Sequence, residues 1–181
     1  MWFVPSARGA SLIDALIALT IVITVTAGVA QLLIWSRRSS WSAGTRSMAT
    51  ILAAQKIEQL RSLPWYVDAD RVARSDDTTD LSIEPAAPSG TGLQPSPAGT
   101  LETDTAGFVD YLAADGAWRG NGPRAPGSAA YVRRWAIEPF AADPGDSLVL
   151  TVLVVPVLDA SSPARARRGV RLTTIRTRSS E

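Results

Sequence analysis

The chain contains no cysteine and no histidine. Their absence removes thiolate and imidazole metal ligands, cysteine nucleophiles, and the side chain that most readily shuttles protons near neutral pH. An excess of either charge is missing as well, with 18 Lys and Arg against 17 Asp and Glu. Nucleic-acid recognition rests on clustered cations facing phosphates, so overall charge gives no reason to expect that partner. These absences argue against an enzyme, and no metal or cofactor is expected. They leave the compartment open, because proteins of oxidising compartments can also lack disulfides. With 181 residues the chain has room for one globular head and an appendage.

What is present is a long apolar run. From Ala15 to Trp35 no residue carries a formal charge, and about 20 apolar residues in helical form cross the hydrocarbon core of a bilayer. The segment 15–35 is therefore expected to be transmembrane. A cleavable secretory signal is the competing reading, since Gly28 and Ala30 are small residues suited to a cut before Gln31. Against it, Leu32, Leu33, Ile34 and Trp35 keep the run apolar beyond that point. A buried core helix fits less well, because a chain of this size seldom encloses so long a run. Arg37, Arg38 and Arg46 follow the run while only Arg8 precedes it, so flanking charge alone would leave the C-terminal part in the cytoplasm. If the head is exported, something else must set the topology.

One carboxylate stands at the beginning of this region. In RGASLIDALIAL, Asp14 follows Gly9, Ala10, Ser11, Leu12 and Ile13. A glycine, this short motif and an uncharged helix together resemble the class III signal of type IV prepilins and type II secretion pseudopilins. The family pattern is a short leader ending in glycine, then a residue that is usually phenylalanine, then Thr-Leu-Ile-Glu and an apolar helix. The resemblance implies a leader at residues 1–9, cleavage after Gly9 by a membrane-embedded prepilin peptidase, and N-methylation of the new terminus at Ala10. It also gives Asp14 the place of the acidic residue five into the mature chain, which pairs with the amino terminus of a neighbouring subunit. A charge inside a bilayer costs roughly 3 kcal/mol or more and is retained mainly where it finds a partner. The alternative for Asp14 is solvation among headgroups at the membrane surface. Two residues depart from the pattern: Ala10 stands where phenylalanine is usual, and Asp14 is one methylene shorter than glutamate.

A helical signal continues in SMATILAAQKIEQLRSLPW. Ala49, Leu52, Ala53, Ile57, Leu60 and Leu63 recur every three or four residues, with Gln55, Lys56, Glu58 and Arg61 interspersed. Leu52, Ile57 and Leu60 are expected to pack the helix against the head. Pro64 disfavours helix at Leu63, so one long helix over 10–63 is expected to stop there. Gly28, Gly44 and the serine-rich SRRSSWSAG lower helix propensity, which predicts bending or local melting between its halves. LAAQKIEQLRSLPW also resembles the corresponding helix end in minor pilins of the PilV type and in the I-type pseudopilin of type II secretion.

Residues 64–181 are expected to form the head. Within it, about 76–105 is rich in Thr, Ser, Pro and Gly and reads as a long flexible loop without a core of its own. GFVDYLAADGAWRGNG alternates apolar residues around Asp115-Gly116, a dipeptide suited to a hairpin turn. Strands are predicted at 131–137, 148–155 and 170–177. In the first, Tyr131, Trp135 and Ile137 share a face with Arg133, and the nearly continuous apolar second strand is placed at the centre. Short turn-rich connections favour an antiparallel meander. The expected fold class is α+β: a long N-terminal helix, its second half packed on a small antiparallel sheet. The pilin resemblance implies the same architecture.

Other constellations carry less. Asp115 and Asn121 lie near glycines, but the ligand spacing and closing glutamate of a dedicated calcium loop are missing. GTGLQP at Gly90 lacks the third glycine of a dinucleotide fingerprint. Arg165, Arg167, Arg168, Arg171, Arg176 and Arg178 read as a solvated turn and strand edge rather than a nucleic-acid patch. What the resemblance implies is a structural role: a minor pilin or pseudopilin that primes assembly of, or caps, a type IV pilus or a type II secretion pseudopilus. Its partners would be prepilin peptidase, other minor and major pilins or pseudopilins met through the helix, and inner-membrane lipid. It would be a single-pass inner-membrane protein with a periplasmic head, or lie at a filament tip on the cell surface. The alternative is a signal-anchored envelope protein whose head binds a ligand without polymerising.

Overall fold

Alanine, leucine and other good helix formers dominate the N-terminal third, and the computed structural model, which describes residues 12–162, 166 and 169–180, turns them into one helix. This helix, α1, spans Leu12–Ser62 and ends two residues before Pro64. Helical hydrogen bonding passes through Gly28, Gly44 and the serine-rich stretch, so no local melting separates the halves. A glycine costs only about 1 kcal/mol in a helix interior, and scattered single glycines do not break a ladder of this length. The chain divides into two compact units at Ala43 and Gly44, each contributing part of α1. Among the described residues, the first unit consists only of the apolar part of that helix.

In the second unit the remainder of α1 packs against antiparallel sheet. Strands β1 (Trp65–Val67), β2 (Ala73–Ser75), β3 (Val109–Leu112) and β4 (Trp118–Gly120) are short, whereas β5 (Tyr131–Phe140) and β6 (Asp143–Pro156) are long. The short helix α2 (Val157–Ala160), then β7 (Val170–Thr177) and β8 (Ser179–Ser180), complete the chain. The main sheet has the order β4-β3-β5-β6-β7, antiparallel throughout. A second sheet, β2-β1-β8, pairs β1 with β8 in parallel. The mixed α+β architecture, a long apolar N-terminal helix followed by small antiparallel sheets, is compatible with a pilin-like description.

Two features differ from the expectation. The apolar β6 lies between β5 and β7 as expected, but the sheet does not end at β5, because β3 pairs along its other side with Val109 opposite Arg134. The β5 and β6 strands also run on past the predicted ends, which shrinks their connection to Ala141 and Ala142. The continuous apolar character of β6 has another cause: it is buried on both faces. Leu148, Leu150, Val152 and Val154 join the core beneath α1, while Leu153 and Val155 join Val109, Tyr111 and Val132 on the opposite face.

The Asp115-Gly116 turn joins β3 to β4. Gly116 has a φ of +86° and sits against α1, where an added Cβ would come within 3.1 Å of Leu52 and Met48. The segment 76–105 has no regular strand or helix, yet it buries Leu81, Ser82, Leu93 and Thr100. Its polar composition therefore does not keep it out of the core. Backbone bonds such as Ser96 N–H to Ile137 O at 2.8 Å fasten it to the sheet. The C-terminal end of α1 is closed by Arg176 from β7, whose guanidinium donates to the carbonyls of Leu60, at 3.0 Å, and Leu63. The Leu60 carbonyl belongs to the last turn, which has no helical donors left to satisfy it, and Leu63 follows directly after the helix.

Leu60 is fully buried, whereas Ile51, on the same part of α1, is 54% exposed. Leu60→Ala is expected to lower the unfolding free energy of the full chain in detergent by about 2–5 kcal/mol in denaturant titration. Ile51→Ala should change it by less than about 0.5 kcal/mol.

Candidate functional site

The apolar part of α1 lies open, with Leu12, Ile13, Leu16, Ile17, Ile21 and Ile23 all exposed. The helix is long and apolar enough to cross a membrane, and none of its most apolar 18-residue window is buried within the chain. Exposed apolar surface on this scale marks a membrane or protein contact. Its hydroxyls are already satisfied: Thr20, Thr24 and Thr26 donate to the carbonyls of Leu16, Thr20 and Val22 at 2.7–2.8 Å. Such bonding inside the helix leaves no hydroxyl seeking water, as a segment in lipid requires. Asp14 lies in the first turn of α1, where the positive end of the helix dipole favours a carboxylate. Gly9 and Ala10 lie outside the described residues.

Leu52, Ile57 and Leu60 lie in the core of the second unit, together with Trp135, Ile137 and Leu150. Between them sits a group that the sequence pattern hides. Lys56, spaced four residues from both Leu52 and Leu60, is completely buried rather than interspersed among solvent-facing positions. Its Nζ lies 3.0 Å from Asp110 Oδ2, donates to Leu81 O at 2.6 Å and stands 4.2 Å from the ring centre of Trp135. Arg133 grips the same carboxylate with two bonds, Nε to Oδ1 at 2.9 Å and NH2 to Oδ2 at 2.6 Å, and reaches Leu52 O at 3.1 Å. Burial pulls the Lys56 ammonium down to about 8, against the upward pull of Asp110 and with the help of Arg133. Two buried cations thus share one carboxylate, every charged group has partners, and α1 is tied to β3 and β5 at one point.

An open cleft of about 410 Å³ borders this cluster, lined by Gln55, Gln59, Glu84, Leu112, Trp118 and Arg133 among others. Arg133 is already engaged there, and Trp118 donates its indole N–H to Ser82 O at 3.0 Å. Asn121 donates to Ser82 Oγ at 2.7 Å, and Asp115 accepts from the Ala117 N–H at 3.0 Å, so both serve local folding. Among the described residues no three acidic side chains come together as a metal site. The C-terminal arginines do not form a common patch where they are described. Arg171 is exposed, Arg176 closes α1, and Arg178 lies 4.8 Å over the ring of Trp65 and 3.6 Å from Asp146. Arg165, Arg167 and Arg168 lie outside the described residues.

Comparison with known proteins gives no family model that matches the chain, and no curated protein or solved structure that matches it.

The cluster sets up an asymmetric response to mutation. Asp110→Ala strands two buried cations and is expected to cost about 3–5 kcal/mol. Lys56→Met leaves a balanced Arg133–Asp110 pair and should cost far less in the same denaturant titration. Because the folded pKa of Lys56 lies below its unfolded value, the unfolded chain binds more protons between about pH 8 and 10.5. Wild-type stability should therefore rise relative to Lys56→Met as pH goes from 7 to 9.5.

Proposed function

We propose that the chain is a minor pilin or pseudopilin: a filament subunit cleaved after Gly9, methylated at Ala10, held in the inner membrane by residues 15–35 and polymerised through α1. One observation carries this reading. The apolar part of α1 finds no burial within its own chain, and it begins with a carboxylate, Asp14, within its first turn. A helix of that kind is comfortable in lipid, and equally in the core of a bundle of identical helices, where packing replaces lipid contact. Asp14 gives the transfer between the two a direction. In lipid the carboxylate is costly, whereas a neighbour's amino terminus in the filament neutralises it and its own charge together. The head, held to the same helix by Leu52, Leu60 and the Lys56–Asp110–Arg133 cluster, would then be presented to neighbouring subunits or at the filament tip.

The polar cleft beside Gln55 and Trp118 favours a second reading, an anchored envelope protein whose head takes a ligand and never polymerises. Asp14 separates the two. In a filament subunit, Asp14→Ala should abolish co-purification with sheared filaments or with partner pseudopilins while leaving membrane insertion intact. Wild-type levels of incorporation would remove the pairing role. Mass spectrometry of protein purified from its native membranes should find an N-methylated terminus at Ala10. An intact Met1 would support the anchored reading, and a start at Gln31 would mean a secreted protein.

A further inference from the structure

Residues 35–43 of α1 read WSRRSSWSA. At about 100° per residue, Trp35, Arg37, Arg38 and Trp41 fall within about 160° of the helix circumference. Ser36, Ser39, Ser40 and Ala43 occupy the other side. Trp35 is 76% exposed and Trp41 80%, and Arg37 is exposed as well. No carboxylate occurs between Asp14 and Glu58, so the positive charge at 37 and 38 is not balanced along the helix.

Depth gives this surface its meaning. The 15–35 run extends about 31 Å, which uses up a hydrocarbon core of about 30 Å. Arg37 and Arg38 come about 3–5 Å later, and Trp41 about 9 Å beyond Trp35, at the level of the headgroups. Tryptophan favours that layer because its ring is apolar and its N–H needs a polar partner. A guanidinium matches phosphate with two parallel bonds. We propose that Trp35, Arg37, Arg38 and Trp41 form a binding surface for anionic phospholipid on the membrane face from which α1 emerges. An acidic protein would also pair with the arginines, but it would have no particular use for two exposed indoles at that depth. The lipid surface rests on the proposal above that residues 15–35 hold the chain in the membrane. It gives the subunit a preferred lipid neighbour while it waits in the membrane, and a tie that must be released when the helix is withdrawn.

The test uses the full chain in phosphatidylcholine vesicles carrying spin-labelled phosphatidylglycerol or spin-labelled phosphatidylcholine. The protein should immobilise phosphatidylglycerol with about fivefold preference or more, since each arginine near an anionic surface supplies roughly that factor. The preference should fall towards one in Arg37→Gln/Arg38→Gln and at high salt. Because the chain has no cysteine, Ile23→Cys and Ser39→Cys report depth through a membrane-impermeant maleimide. Labelling at Ser39→Cys with protection at Ile23→Cys is expected. Equal labelling of both would overturn the membrane span of residues 15–35 and the lipid surface together. Protection at Ile23→Cys without a phosphatidylglycerol preference, or with one that survives the double substitution, overturns the lipid surface alone. So does a double variant that keeps the lipid preference and loses only its protein partners.

Discussion

The head is organised around one buried carboxylate. Asp110 accepts from both Lys56 and Arg133, and the remaining donors of those cations reach the carbonyls of Leu52 and Leu81. Helix α1, strands β3 and β5 and the irregular segment near Leu81 therefore meet at a single point. Burial and dispersion hold the apolar stripe of α1 to the sheet, but neither is directional. A charge cluster is directional: displaced by one turn, Lys56 would be buried without its oxygen partners, at a cost of several kcal/mol (~3 or more). The cluster thus selects a register for contacts that the leucines would otherwise leave ambiguous.

That anchoring matters because the same helix carries the proposed assembly surface. On this reading the two units divide the work. The first supplies apolar surface for lipid or a neighbour, and the second buries its own core. Filament assembly, as proposed, would use Gly9, Ala10, Asp14 and the apolar part of α1, and the head is the part where different functions would be built.

Much of this architecture was legible in local pattern. The three-and-four spacing of Ala49, Leu52, Ala53, Ile57 and Leu60, and Pro64 after it, describe a helix that ends at Ser62 with one buried face. The predicted strands at 131–137, 148–155 and 170–177 all lie within β5, β6 and β7, where runs of β-branched and aromatic residues are bounded by turn-rich segments. What depended on context was missed. Strands β1, β2 and β8 are two or three residues long and too short to carry a period. The sheet order follows from which side of β5 the hairpin of β3 and β4 occupies, and no residue in either strand announces that. Lys56, Arg133 and Asp110 each occupy a core position in an otherwise apolar series, between Leu52 and Leu60, Tyr131 and Trp135, and Phe108 and Leu112. The sequence places Arg133 on the face of Tyr131, Trp135 and Ile137 but shows no partner for it, and Lys56 reads as interspersed on a polar face; their charges answer that of Asp110 only across three elements.

The closing of α1 by Arg176 has a consequence for the order of events during synthesis. The carbonyls of Leu60 and Leu63 are made early, but the guanidinium that satisfies them arrives more than a hundred residues later. Until Arg176 is made, the far end of the helix therefore stays open, however early the rest of it forms, and a chain shortened by only six residues, from Arg176 onwards, would never close it.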